Sequence, residues 1–243
     1  QQQDGTLVQR DRGTPQGSSI SPLLANLFLH YAFDVWIRKQ FPDLQFERYC
    51  DDAVVHCKTE KQAVYVQRAI SQRMVACGLE LHPDKTRIVY CKDADRRATY
   101  ANERFDFLGY TFRPRSSKRK AGTYAVNFLP AVSNDAMKAM GQKLRSWRIN
   151  RRSDKSLDEL AHFFNKVVQG WINYYGRFYK SELYPLLRRI DTYLVRWAKR
   201  KYKRLRGHTK RAQRWLVRIA RRQPTLFAHW RLARPAGWTM GAE

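Results

Sequence analysis

The chain has 243 residues and carries 47 Lys and Arg against 21 Asp and Glu, a formal net charge of +26. That length allows one large domain or two small ones, and the 43% hydrophobic and 13% aromatic content excludes a disordered basic tail. Four cysteines (Cys50, Cys57, Cys77, Cys91) without C-x-x-C pairing read as reduced intracellular thiols rather than disulfides or a zinc site. No apolar run reaches the ~20 residues of a membrane-spanning helix, and "QQQDGTLVQRDRG" is neither a signal peptide nor a natural domain start.

In chain order, Ser21-Pro22 predicts a helix start, a cap followed by proline at the first helical position. Leu24, Leu27, Phe28, Tyr31 and Val35 keep helical spacing to about Lys39. A hairpin over 46–57 follows, with Phe46, Tyr49, Val54 and Val55 as strand formers and Asp51 and Asp52 at its tip, where two buried strands meet. Adjacent Asp side chains repel, and a solvated turn is the plain reading of them. Two carboxylates held between strands also suit a hard divalent cation such as Mg²⁺, which takes oxygen ligands. Thr59 with Gln62 predicts a capping box, and Ala63, Val66 and Ile70 form one face of a helix that Gly78 ends. "LEL", "TRIVYC" and "RFDFLGYTF" read as strands.

"RPRSSKRKAG", Arg113 to Gly122, reads as a basic linker or loop, and helices alone follow it. The first spans Asp135 to Trp147. Ser156 with Glu159 caps a second, with Leu160, Phe163, Val167 and Trp171 at core spacing. A third runs from about Glu182 to Lys203 with Leu187, Ile190, Leu194 and Trp197 inside, and a fourth spans Lys210 to Arg221. Residues 1–115 carry 17 Lys and Arg against 14 acids, whereas 116–243 carry 30 against 7. The second half is built to meet a polyanion, and nucleic acid is the leading partner. Arg188, Arg189, Arg196, Lys199 and Arg200 on the third helix, with Lys201, Lys203 and Arg204 after them, are the candidate RNA-binding residues.

Five blocks in order then carry a resemblance. "GTPQGSSISPLLANLFLHYAFD" (13–34) resembles a signature of reverse transcriptases encoded by group II introns, and "YCDD" (49–52) is similar to their Y-x-D-D box, with Cys where Ala is commoner. "GLELHPDKTRIV" (78–89) resembles the next block, "FDFLGYTF" (105–112) the primer-grip hairpin, and "GWINYYGRF" (170–178) the maturase-specific or thumb region. The resemblance implies an α+β palm fragment of a right-hand polymerase over 1–115, a basic linker over 116–130, and an all-α thumb/maturase bundle over 131–243. It implies an RNA-directed DNA polymerase that also binds intron RNA and assists splicing and mobility. Its partners would be intron RNA, the DNA target and primer, and deoxynucleotides, with no membrane. The compartment would be intracellular, cytoplasmic in a bacterium and organellar in a eukaryote.

By the same resemblance Asp51 is a direct Mg²⁺ ligand in a two-metal site, and Asp52 a second ligand or its support. Pro15, Gln16, Gly17 and Ser18 line the nucleotide and template side, and Lys85 lies near the triphosphate or is an exposed salt-bridging lysine. Phe107, Leu108, Gly109 and Tyr110 hold the primer end. Family members carry another metal-binding Asp on an earlier strand, after the fingers. Asp4 and Asp11, beside Gly5 and Arg12, fit that role poorly, so the sequence resembles the C-terminal half of such a protein. The expectation is a chain inactive alone, completed by a polypeptide carrying fingers and first palm strand or covered by a second copy. The alternatives are a non-catalytic RNA-binding splicing factor and one half of a split enzyme.

Overall fold

The computed structural model describes residue 13 and residues 17–118 and 122–232. These residues form a mixed helix-and-sheet structure with two small sheets, divided into two compact units at Ile88/Val89.

In the first unit, helix α1 (Ser21–Leu29) has Pro22 in its first turn, with Ile20 rather than Ser21 at the N-cap position. It runs through a π-helical turn, His30–Val35, into α2 (Trp36–Gln40). Strands β1 (Gln45–Tyr49) and β2 (Asp52–His56) pair antiparallel, and α3 (Glu60–Ala76) follows. Gln62 N–H donates to the Thr59 hydroxyl, as a capping box requires, while the Gln62 side chain accepts from Lys58 N–H instead of Thr59. Gly78, at φ +73°, ends α3: its N–H donates to the Val75 carbonyl and the Leu79 N–H to the Met74 carbonyl, the pair of bonds that satisfies a helix's last carbonyls. Phe33, Ile37 and Met74 form the core, against which Phe46, Val55 and Ile70 pack. The hairpin strands are therefore half-exposed, not buried as expected, because two strands have one packed face and one wet face.

The segments "LEL" and "TRIVYC" are not strands in the structure. A strand needs a ladder, and between Leu79 and Cys91 the long-range backbone bond among the described residues is that of Tyr90 N–H to the Asn102 carbonyl. β-branched composition marked a preference that no partner strand among the described residues fulfils.

The second unit opens with β3 (Phe105–Phe107), β4 (Tyr110–Lys118) and β5 (Tyr124–Val132), an antiparallel sheet in the order β3-β4-β5. The stretch 116–130 expected as a linker is thus mostly the far end of the β4–β5 hairpin, from the Ser116–Val126 pair to the Lys118–Tyr124 pair and on along β5. Ser, Lys and Arg tolerate an exposed two-stranded ribbon, and a composition shift does not mark a break in the ladder. Helices α4 (Asn134–Ser146), α5 (Leu157–Tyr175), α6 (Tyr184–Lys201) and α7 (Thr209–Arg222) follow. The Ser156–Glu159 capping box is complete, with Glu159 N–H bonded to the Ser156 hydroxyl and the Glu159 carboxylate to Ser156 N–H.

Helix α6 is the centre of the core, with Leu187, Ile190, Leu194 and Trp197 fully buried as expected. The buried face of α5 is Leu160, Ala161, Phe164 and Val168, one residue round from the expected Phe163 and Val167, which are exposed. The sequence pairs Phe163-Phe164 and Val167-Val168 make both faces apolar, so spacing cannot choose between them. Packing chooses: Phe164 stacks between Trp147 and Phe227 at ring-centroid distances of 5.2 and 5.4 Å. The segment after α7 is held by side chains that sequence reading passed over. Asn165 donates to the Leu226 carbonyl and accepts from Ala228 N–H, while buried Asp191 accepts from Trp230 Nε1 and pairs with His229, both at 2.9 Å.

Candidate functional site

Tyr49 and Asp52 are the last pair of the β1–β2 ladder, which leaves Cys50 and Asp51 as a two-residue turn. Cys50 lies in the left-handed region at φ 54°. Glycine normally takes that place, and a non-glycine residue held there costs on the order of 1–3 kcal/mol unless its surroundings over-determine it. The surroundings here are Arg48. Its Nη1 donates to the Cys50 carbonyl at 2.7 Å and to Asn26 Oδ1 at 3.0 Å, while Nε and Nη2 clasp both oxygens of Asp34 at 2.7 Å. Asp34 comes from the π-helical turn, whose Ala32 carbonyl accepts from Arg73 on α3. The turn is thus braced on the helix behind it.

The side chains of Asp51 and Asp52 are exposed and make no ion pair or hydrogen bond among the described residues. As oxygen donors on a braced turn they fit a hard divalent cation. Two are fewer than such a site needs, and no group of three or more His, Cys, Asp or Glu side chains converges among the described residues.

Asn26, Asp34 and Arg48 were not singled out from sequence. The signal was an acid close behind the apolar positions of a predicted helix and an arginine three residues before the acid pair. The Arg48 fork holds the Asp34 carboxyl below its ordinary value, and Asp34 in turn raises Arg48. A depressed folded-state carboxyl stabilises fully above its unfolded value, 3.8, and that contribution is lost as pH falls through the lower folded value. Hydrogen exchange of the β1–β2 amides is therefore expected to be independent of this group above pH 3.8 and to quicken below it. Arg48→Ala should quicken it at neutral pH by the equivalent of about 2 kcal/mol, the cost of taking the guanidinium from a largely buried carboxylate that keeps the His30 ring at 3.5 Å. Equal protection in wild type and variant would show that the fork does not hold the hairpin.

Of the residues expected at the nucleotide and template side, Pro15 and Gln16 lie outside the described residues. Gly17 takes φ +86°, which favours glycine, and Ser18 accepts from Ser21 N–H at 3.3 Å. Lys85 is exposed and forms no ion pair among the described residues, so the salt-bridging alternative finds no support. The β3–β4 turn is Leu108-Gly109, both at positive φ (50° and 77°), the mirror-image turn that suits a twisted hairpin.

In the helical unit, Arg188, Arg189, Arg196, Arg200, Lys203 and Arg204 are exposed. Arg196, Lys199 and Arg200 meet Arg206, Asn150 and Gly207 around an open cleft of about 480 Å³. Lys201 does not join them: its ammonium donates to the Ser153 and Lys155 carbonyls at 3.0 and 2.7 Å and fastens that loop to α6. Sequence reading missed Arg206 and the outer face of α7, where Lys210, Arg211, Arg214, Arg218, Arg221 and Arg222 are all exposed. The signal was present, since no Asp or Glu occurs between Asp191 and Glu243.

Two successive regions of different character therefore make up the chain: one with a braced carboxylate turn and a second hairpin turn, one helical and cationic. Family models match them in that order, "Reverse transcriptase (RNA-dependent DNA polymerase)" over residues 2–112 and "Group II intron, maturase-specific domain" over residues 137–217. The chain belongs to the group II intron reverse transcriptase/maturase family. Comparison with curated proteins gives no match. No helix among the described residues is long and apolar enough to cross a membrane.

Proposed function

We infer that the chain supplies the metal-binding turn, the primer-grip turn and the RNA-binding helices of an RNA-directed DNA polymerase that also acts as an intron maturase. The observation that carries the polymerase reading is the Cys50–Asp51 turn, in which Arg48 braces the left-handed Cys50 and the adjacent Asp51 and Asp52 side chains are exposed. Bound there, Mg²⁺ ions would activate the primer hydroxyl and stabilise charge on the α-phosphate. Asp51 supplies the direct oxygen ligand and Asp52 the second ligand or its support. Pro15, Gln16, Gly17 and Ser18 face nucleotide and template, Lys85 is free to meet the triphosphate, and Phe107 to Tyr110 hold the primer end. The cleft of Arg196, Lys199, Arg200 and Arg206 takes RNA phosphates.

A two-metal site needs a further carboxylate, and the described residues bring none to Asp51 and Asp52. Primer extension with Mg²⁺ is therefore expected to be absent for this chain alone and to appear when a polypeptide carrying the fingers and first palm strand is added. Robust synthesis by the chain alone would overturn the need for a third ligand. A second reading, an RNA-binding splicing factor without catalysis, is favoured by the cationic cleft, with no third carboxylate meeting Asp51 and Asp52 among the described residues. It prevails if RNA is bound and splicing assisted while the added polypeptide restores no synthesis.

A further inference from the structure

The β3–β4 turn is fastened to the C-terminal end of α5 by tyrosines. Tyr174 Oη donates to the Leu108 carbonyl at 2.8 Å, and the Tyr110 hydroxyl donates back to the Tyr174 carbonyl. Gly109 has no room for a side chain, since a Cβ there would lie 2.8 Å from Tyr175 Oη; its own carbonyl accepts from Ser133 N–H at 2.9 Å. The rings of Tyr174, Tyr175 and Phe178 surround Tyr110 at centroid distances of 5.3, 5.5 and 5.8 Å. Further along β4 the attachment continues: Tyr179 donates to the Ser116 carbonyl at 3.1 Å, and buried Arg115 bonds Glu182 at 2.7 Å beneath the Tyr179 ring.

This pattern exceeds what packing needs. Tyr174 is about half exposed, so burial of its ring contributes little, yet its hydroxyl and its carbonyl both engage the turn. The two left-handed residues, Leu108 and Gly109, form a conformation with few alternatives, and a hydrogen bond to the carbonyl of the first fixes that peptide's direction. The turn lies in the reverse-transcriptase match and the tyrosines in the maturase-specific match.

We propose that Tyr174 and Tyr175 are positioning residues for the primer-grip turn, so that the maturase helix α5 sets where a primer's 3′ end is held. This rests on the reading of Phe107–Tyr110 as the primer grip. Displacing α5 displaces the Leu108–Gly109 peptide with it, so the position of α5 governs placement of the primer terminus.

The test uses the full chain with an RNA–DNA primer–template duplex carrying a fluorescent base analogue at the primer 3′ end and a separate label at the far end. Tyr174→Phe keeps the ring and removes only the hydrogen bond to Leu108. It is expected to weaken the 3′-terminal response about fivefold, the worth of one net hydrogen bond, while affinity read from the far label changes by less than about twofold. Hydrogen exchange should quicken at Gly109 and Tyr110 and stay unchanged in the buried turns of α5. Tyr175→Phe, which opens space over Gly109, should act in the same direction. A turn released by Tyr174→Phe with an unaltered terminal response would overturn the proposal, as would unchanged exchange at Gly109 and Tyr110. Failure of the primer-grip reading itself is distinguishable, because the wild type would then give no 3′-terminal response, and the proposal would fall with it.

Discussion

Asp51→Asn is expected to abolish DNA synthesis in the complemented enzyme, by at least on the order of 10²–10³-fold, the cost of removing one group that stabilises transition-state charge. Asn keeps the size of Asp and can still occupy a hairpin turn, so Arg48 and the Cys50 carbonyl remain bonded as before. RNA affinity should change little, since in this reading Arg and Lys side chains of the helices, and not the acid turn, meet the RNA phosphates. Asp52→Asn should cost less if Asp52 only supports its neighbour. The checks are single-turnover primer extension over a range of Mg²⁺ concentrations and a parallel RNA-binding titration. Equal losses in synthesis and binding would mean that the turn is structural and that the metal assignment is wrong.

RNA affinity is expected to reside in the helical region and to fall steeply with salt. If about six to ten Lys and Arg groups meet phosphates, affinity drops on the order of 10³–10⁵-fold between 50 and 200 mM salt by the duplex-DNA rule, and somewhat less for single strands. The cleft narrows the set to test. Neutralising Arg196, Lys199, Arg200 and Arg206 together should flatten the logarithmic salt slope by about three to four. Their removal leaves Leu187, Ile190, Leu194 and Trp197 buried, so the helix is retained. Lys201 serves as the contrasting position: with its ammonium spent on two loop carbonyls, Lys201→Gln should lower stability while leaving the salt slope nearly unaltered. An unchanged slope in a folded four-site variant, judged by circular dichroism, would show the cleft to be a solvated face. Specificity for one intron should come from RNA shape and unpaired bases, because the deep, narrow major groove of base-paired RNA admits few side chains.

Much of the architecture was legible because local rules and the final packing agree. Helix starts at Thr59 and Ser156 follow from hydroxyl caps, and the end of α3 follows from Gly78, because each satisfies backbone groups within a few residues. The inner face of α6 was legible since its apolar residues occupy one stripe without competitors. On α5, two adjacent apolar stripes existed, and packing of Phe164 between Trp147 and Phe227, the latter 63 positions further along the chain, settled which one is buried. Residues 79–91 failed in the opposite way: strand-forming composition was present, but a ladder depends on a second segment that local sequence does not name.

The sequence by itself determined the chemistry on offer. It placed the acid pair between two strand segments, concentrated positive charge after residue 115, and ordered the five blocks that mark the family, all properties of residue type and spacing. Only the tertiary structure decided which groups are free to act. Arg48, 14 positions from Asp34, is bound to it and props the acid turn, while Lys201 is bound to loop carbonyls and withdrawn from the cleft. Arg206 joins Arg196 across a connection between helices, and Tyr174 reaches Leu108 across 66 positions. The physical reason is the same in each case. A charge or hydroxyl is a property of one residue, whereas its availability depends on partners within hydrogen-bonding reach, and folding brings those partners from distant parts of the chain.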